Sequence, residues 1–225
     1  MKKNGLFVTG CLTLILCNFS VAFSQQNQKK VDLNAGADFY SSYLFRGTRY
    51  GKGPSVQPSV KLTAGGLTAG VWGSFDVNGY AETDPYFSYS MPFGLSLGFT
   101  DYHYPGLDVF DFSEATGSHA VEFNSSFTKW GLTLSANYVF NKAGGAGSQG
   151  SDVYLQAGYQ KGKFSVFAGA GNGWYTHDNE FNLCNVGIGI TKTIDITDKF
   201  SVPVNGQVIV NPDRKQAYMV VGFSF

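Results

Sequence analysis

The chain is short of charge. Asp, Glu, Lys and Arg make up 14% of its 225 residues, against about 25% in an ordinary soluble domain. Acids and bases balance at 16 each, so no basic field marks a nucleic-acid partner. Cysteine is scarce too. Cys11 and Cys17 fall near the start, leaving Cys184 alone in the body of the chain, and one thiol forms no internal disulfide. No His, Cys or carboxylate spacing reads as a metal site, and no cofactor motif is present. Beyond residue 24, no apolar run approaches the roughly 18 residues of a membrane helix.

The start of the chain reads as a leader. Lys2 and Lys3 precede an apolar run over residues 6–16, and Val21-Ala22-Phe23-Ser24 supplies small residues for a signal peptidase. The expectation is a signal peptide over 1–24, cleaved after Ser24, then a short segment over 25–30 and one domain over 31–225. Losing the two leader lysines leaves 14 bases against 16 acids, a net charge of −2.

What is abundant is aromatic side chain, 16% of residues, and glycine, 29 of them. Apolar and polar residues alternate with period two from end to end, the mark of strands with one apolar face. Leu67, Ala69, Val71 and Phe75 oppose Thr68, Gly70 and Ser74, and Val31, Leu33, Ala35, Ala37 and Phe39 oppose Asp32, Asn34, Gly36 and Asp38. Twelve such stretches can be counted, the last being residues 216–225. Even-numbered stretches lead into tight turns such as Gly65-Gly66 and Lys161-Gly162-Lys163. Odd-numbered ones mostly lead into longer polar connections: 47–54, 76–82, 103–118, 141–151 and 172–181. Short turns alternating with long loops belong to outer-membrane barrels. The fold expected is all-β, a transmembrane antiparallel up-and-down barrel of twelve strands with both termini periplasmic, in the outer membrane of a Gram-negative bacterium. Its last strand, apolar on one parity down to Phe225, closes against the first and resembles the signal read by barrel-assembly machinery.

Tyr43-Leu44-Phe45-Arg46-Gly47, followed by Gly53-Pro54-Ser55-Val56-Gln57-Pro58, resembles the Gcw_chp-type family of exported Gram-negative proteins. The similarity is sharpest over residues 38–76. It implies an outer-membrane barrel and no particular activity.

Chemistry can sit in the lumen or on the loops. Inward parity makes Asp38, Arg46, Lys61, Glu122, Gln57 and Gln156 candidates for a constriction, or for the ion pairs and amide bonds of a packed lumen. If Arg46 stands opposite Ser55, Asp38 faces Thr63 and lies diagonal to Lys61. On the loops, His103, Asp108, Asp111, His119, Trp174 and His177 are candidates for binding, and an acid–histidine pair there is the only hint of a hydrolase. Tyr50, Tyr80, Tyr102, Tyr104, Phe110, Phe112, Trp174 and Tyr175 fit an aromatic girdle with loop packing, or a platform for sugars. The first functional expectation is a narrow passive channel for small polar solutes. The alternatives are a non-conducting structural or binding barrel and, last, a loop-based hydrolase. The partners expected are membrane lipid and lipopolysaccharide.

Overall fold

The computed structural model describes residues 31–225; the expected leader and the 25–30 segment lie outside the described residues. The strands in chain order are β1 (Val31–Tyr40), β2 (Tyr43–Phe45), β3 (Thr48–Tyr50), β4 (Ser55–Ala64), β5 (Leu67–Asp76), β6 (Ala81–Ser90), β7 (Leu95–His103) and β8 (His119–Lys129). They continue as β9 (Leu132–Val139), β10 (Lys142–Ala143), β11 (Ser148–Gln149), β12 (Asp152–Lys161), β13 (Phe164–Gly171), β14 (Asn182–Thr197), β15 (Phe200–Asn211) and β16 (Gln216–Ser224). Twelve close into one antiparallel barrel, in the circular order β1-β16-β15-β14-β13-β12-β9-β8-β7-β6-β5-β4. The other four form two small hairpins, β2–β3 and β10–β11, inside long loops.

The alternation dictates which face is which. Successive side chains of a strand point to opposite sides, so Leu67, Val71 and Phe75 of β5 stand exposed while Ser74 is buried inside. The same holds for Val60, Leu134, Leu155, Val166, Ile188 and Val208, which give the barrel a continuous apolar exterior. Closure rests on a short seam. Ala37 and Phe225 exchange both backbone hydrogen bonds, at 3.2 and 3.0 Å, and Asp38, Phe39 and Tyr40 pair with Ser224, Phe223 and Gly222. Phe39 stacks on Phe223 at 5.1 Å between ring centres, and Phe225 on Phe200 at 6.0 Å. Gly36 is needed there, because a Cβ would press on the Phe225 carbonyl oxygen.

The first hairpin corrects the expected register. Tyr40, not Arg46, stands opposite Ser55, so Asp38 faces Gln57, Thr63 faces Asp32 and Lys61 faces Asn34. Asp38 and Lys61 are therefore not the diagonal neighbours expected. The cause is local: the chain leaves the wall after Tyr40, and Tyr43–Phe45 pairs with Thr48–Tyr50 rather than with β4. The shift is six residues, an even number, so every side chain keeps its face. β14 is the longest strand, 16 residues from Asn182 to Thr197.

Candidate functional site

The β2–β3 hairpin turns into the barrel and crosses it. Its two-residue turn, Arg46-Gly47, has φ of +50° and +81°, the positive pair that tight hairpins of this kind require. Glycine takes such a φ freely; arginine does so at a cost of about 1–3 kcal/mol unless its surroundings hold it there. Here they do. The tip rests on β15 and β14, two and three strands from β1: Asn211 Nδ2 donates to the Gly47 carbonyl at 3.0 Å, and a Cβ on Gly47 would run into the carbonyl of Cys184 on β14.

Arg46 meets Glu122 of β8, five strands from β1 one way round the barrel and seven the other. Its Nη1 donates to Glu122 Oε1 at 2.5 Å and its Nη2 to Oε2 at 2.9 Å, a bidentate pair. Tyr175 OH accepts from Arg46 at 2.6 Å and donates to Glu122 at 2.7 Å. Tyr102 OH and Asn124 Nδ2 donate to the second carboxylate oxygen. The guanidinium carbon lies 4.6 Å from the Phe45 ring centre, 4.5 Å from Tyr154 and 5.0 Å from Tyr175, close enough for cation–π attraction. Glu122 is 0% exposed. A buried charge is tolerable when paired and hydrogen-bonded at every oxygen, and this one is.

Aromatic rings fill the space around the pair. Tyr43 packs on Tyr50, Trp72 and Tyr80 at 5.4 to 5.9 Å, Phe45 on Tyr102 at 5.7 Å, and Tyr102 on Trp174 at 5.5 Å. Tyr80 also touches Tyr104, and Tyr175 touches Tyr154. Six of the eight aromatics expected as a girdle or sugar platform thus belong to this internal cluster, while Phe110 and Phe112 are exposed. Between the hairpin and the barrel end at Val31 and Phe225 lie two adjoining cavities of about 350 and 560 Å³, which share Tyr86 and Thr100 as walls. The smaller is lined by Ser88, Ser96, Asn124, Ser135, Asn137 and Gln156, the larger by Gln57, Ser59, Lys61, Trp72, Asp84 and Gln207.

Of the lumen candidates, only Arg46 and Glu122 are brought into an ion pair. Gln156 accepts from Tyr154 OH at 2.6 Å and from Asn185 at 3.1 Å. Gln57 bonds Ser55 and stands beside Asp38 on the opposite side of the bore, with Lys61 exposed below it. The loop candidates divide. His119 of β8 has both ring nitrogens engaged, Nδ1 with Asp101 and Nε2 with the Val109 carbonyl, each at 2.8 Å. His103 and Phe112 stack on its two faces at 5.0 and 4.5 Å. No ring nitrogen of His119 is left to activate a nucleophile. Asp108 accepts from the Phe110 N–H, and Asp111 from Thr116 and Ser113. The Thr116 hydroxyl and the Ser113 N–H hold the Asp111 carboxyl below its ordinary value. Trp174 lies inside the barrel mouth. His177 comes within 4.8 Å of Asp178 and Asp213, but these carboxylates are already bonded to neighbouring N–H groups.

Glu82, Asp84 and Asp152 are buried acids that the sequence reading passed over. The signal was available for two of them. The outward parity of Phe87 and Tyr89 extends back through Pro85 and Thr83, which puts Asp84 and Glu82 inward.

Among solved structures, a mutant of the Rh. blastica porin is 12% identical over 87% of this chain and 99% of that one, with a TM-score of 0.42. A triple mutant of the Rhodopseudomonas blastica porin is 13% identical over the same shares, with a TM-score of 0.37. No curated protein matches the chain. A family model does, over residues 24–208, including the β2–β3 hairpin and every residue that holds Arg46: the chain belongs to the Gcw_chp family, bacterial proteins of unknown function.

Proposed function

We propose that this chain is an outer-membrane β-barrel that is closed at rest, its bore obstructed by its own first loop. The Arg46–Glu122 bridge carries this reading: a hairpin tip anchored to the far wall by two short hydrogen bonds leaves the centre of the barrel occupied. The apolar exterior suits lipid, and a closed barrel leaves no unpaired edge there. The short turns after β4, β6, β8 and β12 suit a periplasmic face, and in this reading both termini and the two cavities lie on that side. Phe225, paired to Ala37 at the seam, suits recognition by the assembly machinery, and the exposed Phe110 and Phe112 suit contact with lipid and lipopolysaccharide. In this reading the barrel binds or anchors and is not an enzyme.

A narrow channel for small polar solutes is the second reading, favoured by the polar walls of the two cavities. Single-channel recording in a planar bilayer separates the two, with folding first verified by the heat-dependent shift of the barrel on gels. Silence of the wild type, with current appearing in Arg46→Ala, supports the closed barrel. Steady current in the wild type supports the channel and overturns it.

A further inference from the structure

The Arg46 site shows what this lumen does with a cation: a buried carboxylate neutralises it, a phenol bonds it and aromatic faces enclose it. The same set of groups recurs on the other side of the hairpin. Asp84 of β6 is 4% exposed, lines the cavity of about 560 Å³, and its Oδ1 has no hydrogen-bond partner. Tyr43, Trp72 and Tyr86 line that cavity with it. Trp72 is the direct cross-strand neighbour of Asp84, and its ring packs at 5.4 Å on Tyr43.

The protein itself supplies little to satisfy this acid. Glu82, one turn of the pleat above, takes the Tyr80 hydroxyl at 2.6 Å and only adds negative charge nearby. Arg46 is committed to Glu122. Lys61 lines the same cavity, in the row of Gly70 and Tyr86, and makes no ion pair with Asp84 among the described residues. A buried carboxylate with an unmet oxygen is costly in an apolar setting, and desolvated aromatic faces beside it favour a positive charge. The cavity falls within the size range of small-molecule sites.

We propose that the chamber beneath the hairpin binds a small organic cation, an alkylammonium or guanidinium group, with Asp84 as counter-ion and Tyr43, Trp72 and Tyr86 as the aromatic wall. The proposal rests on the reading of the lumen as a chamber bounded by the hairpin. It names the class of ligand that such a chamber takes.

The test uses the full folded barrel in detergent, titrated by calorimetry with choline and with agmatine, and in parallel with acetate and glucose. Tryptophan emission is followed in the same titrations. Heat of binding with at least one cation, none with acetate or glucose, and at least tenfold weaker binding in Asp84→Asn is the expected result. Lys61→Ala keeps the affinity or raises it. Should Asp84→Asn fail to give the folded-barrel gel shift, Trp72→Leu decides instead, with severalfold weaker cation binding expected. Absence of binding in a folded wild-type barrel overturns the proposal. So do equal binding of glucose, and wild-type affinity in Asp84→Asn or, where it decides, in Trp72→Leu. Wild-type conductance together with Asp84-dependent cation binding would sink the closed-barrel reading and leave this one standing; silence without cation binding would do the reverse.

Discussion

Arg46 and Glu122 lie 76 residues apart in the chain and meet across the barrel through two hydrogen bonds of 2.5 and 2.9 Å. One sits on a loop and the other on a wall, so their bond decides whether the bore is occupied. Removing Arg46 alone leaves Glu122 buried without its counter-charge, which typically costs about 3–5 kcal/mol. Arg46→Ala is expected to unfold at clearly lower urea than wild type in lipid vesicles. The double variant Arg46→Ala, Glu122→Gln should recover part of that loss, because the stranded charge is gone. Additive losses would show that the pair does not act as a unit.

Gly47→Ala tests the seating of the tip. The substitution places a side chain at positive φ and onto the Cys184 carbonyl. The hairpin should lift from the wall. Cys184 is the free thiol beneath it and is buried, so it reports the movement: slow maleimide labelling in wild type, and labelling at least tenfold faster in Gly47→Ala. Equal rates would mean that the tip does not cover the thiol.

The loop at Asp111 should respond to acid. Thr116 and Ser113 hold this carboxyl below the ordinary carboxylate value, so the folded loop favours the charged form. Its contribution is complete above the ordinary carboxylate range and is lost as pH falls through the lowered value. The protection of amides 111–118, corrected for the intrinsic pH dependence of exchange, is expected to fall below about pH 4, and Asp111→Asn should remove that fall. Corrected protection that stays flat with pH in the wild type would dismiss the role.

Face matters more than residue type on the walls. Ile188 points outward and is 60% exposed, with Val166 and Val208 as its cross-strand neighbours. Ile188→Arg is expected to destabilise folding into lipid by about 2–4 kcal/mol, the range for arginine on a lipid face near mid-membrane. Gln207, paired with Gly189 and lining the larger cavity, should accept arginine with a much smaller change. Urea titration in vesicles measures both. Similar losses would argue against a lipid-facing exterior.

The walls were legible because period-two alternation acts residue by residue and needs no knowledge of distant partners. Glu122 is readable as inward for that reason; Arg46 reaches the lumen by another route, on the hairpin that leaves the wall. Their partnership was not readable. It depends on where the chain leaves the wall after Tyr40, and the run Tyr43-Leu44-Phe45 carries strand-like residues that look like a continuation of β1. The positive φ values at Arg46 and Gly47, invisible in a string of letters, fold that run back on itself as a hairpin. Likewise Tyr102 and Tyr175 look like any loop-proximal aromatics until the bend places an arginine between them. Asp84 escaped because β6 carries Pro85 on its outward face, which broke the apparent pattern at the point where the two buried acids begin.

The seam has a bearing on how the molecule comes into being. Its partners, Ala37 and Phe225, stand 188 positions apart in the chain, a separation that makes their meeting among the slowest contacts to form. β1, the strand that completes this seam, is also the strand from which the hairpin departs two residues later. The strand that closes the wall and the hairpin that fills the bore are thus neighbours in the chain. Sealing the cylinder and filling it therefore draw on adjacent residues of one segment, 31–40 and 43–50.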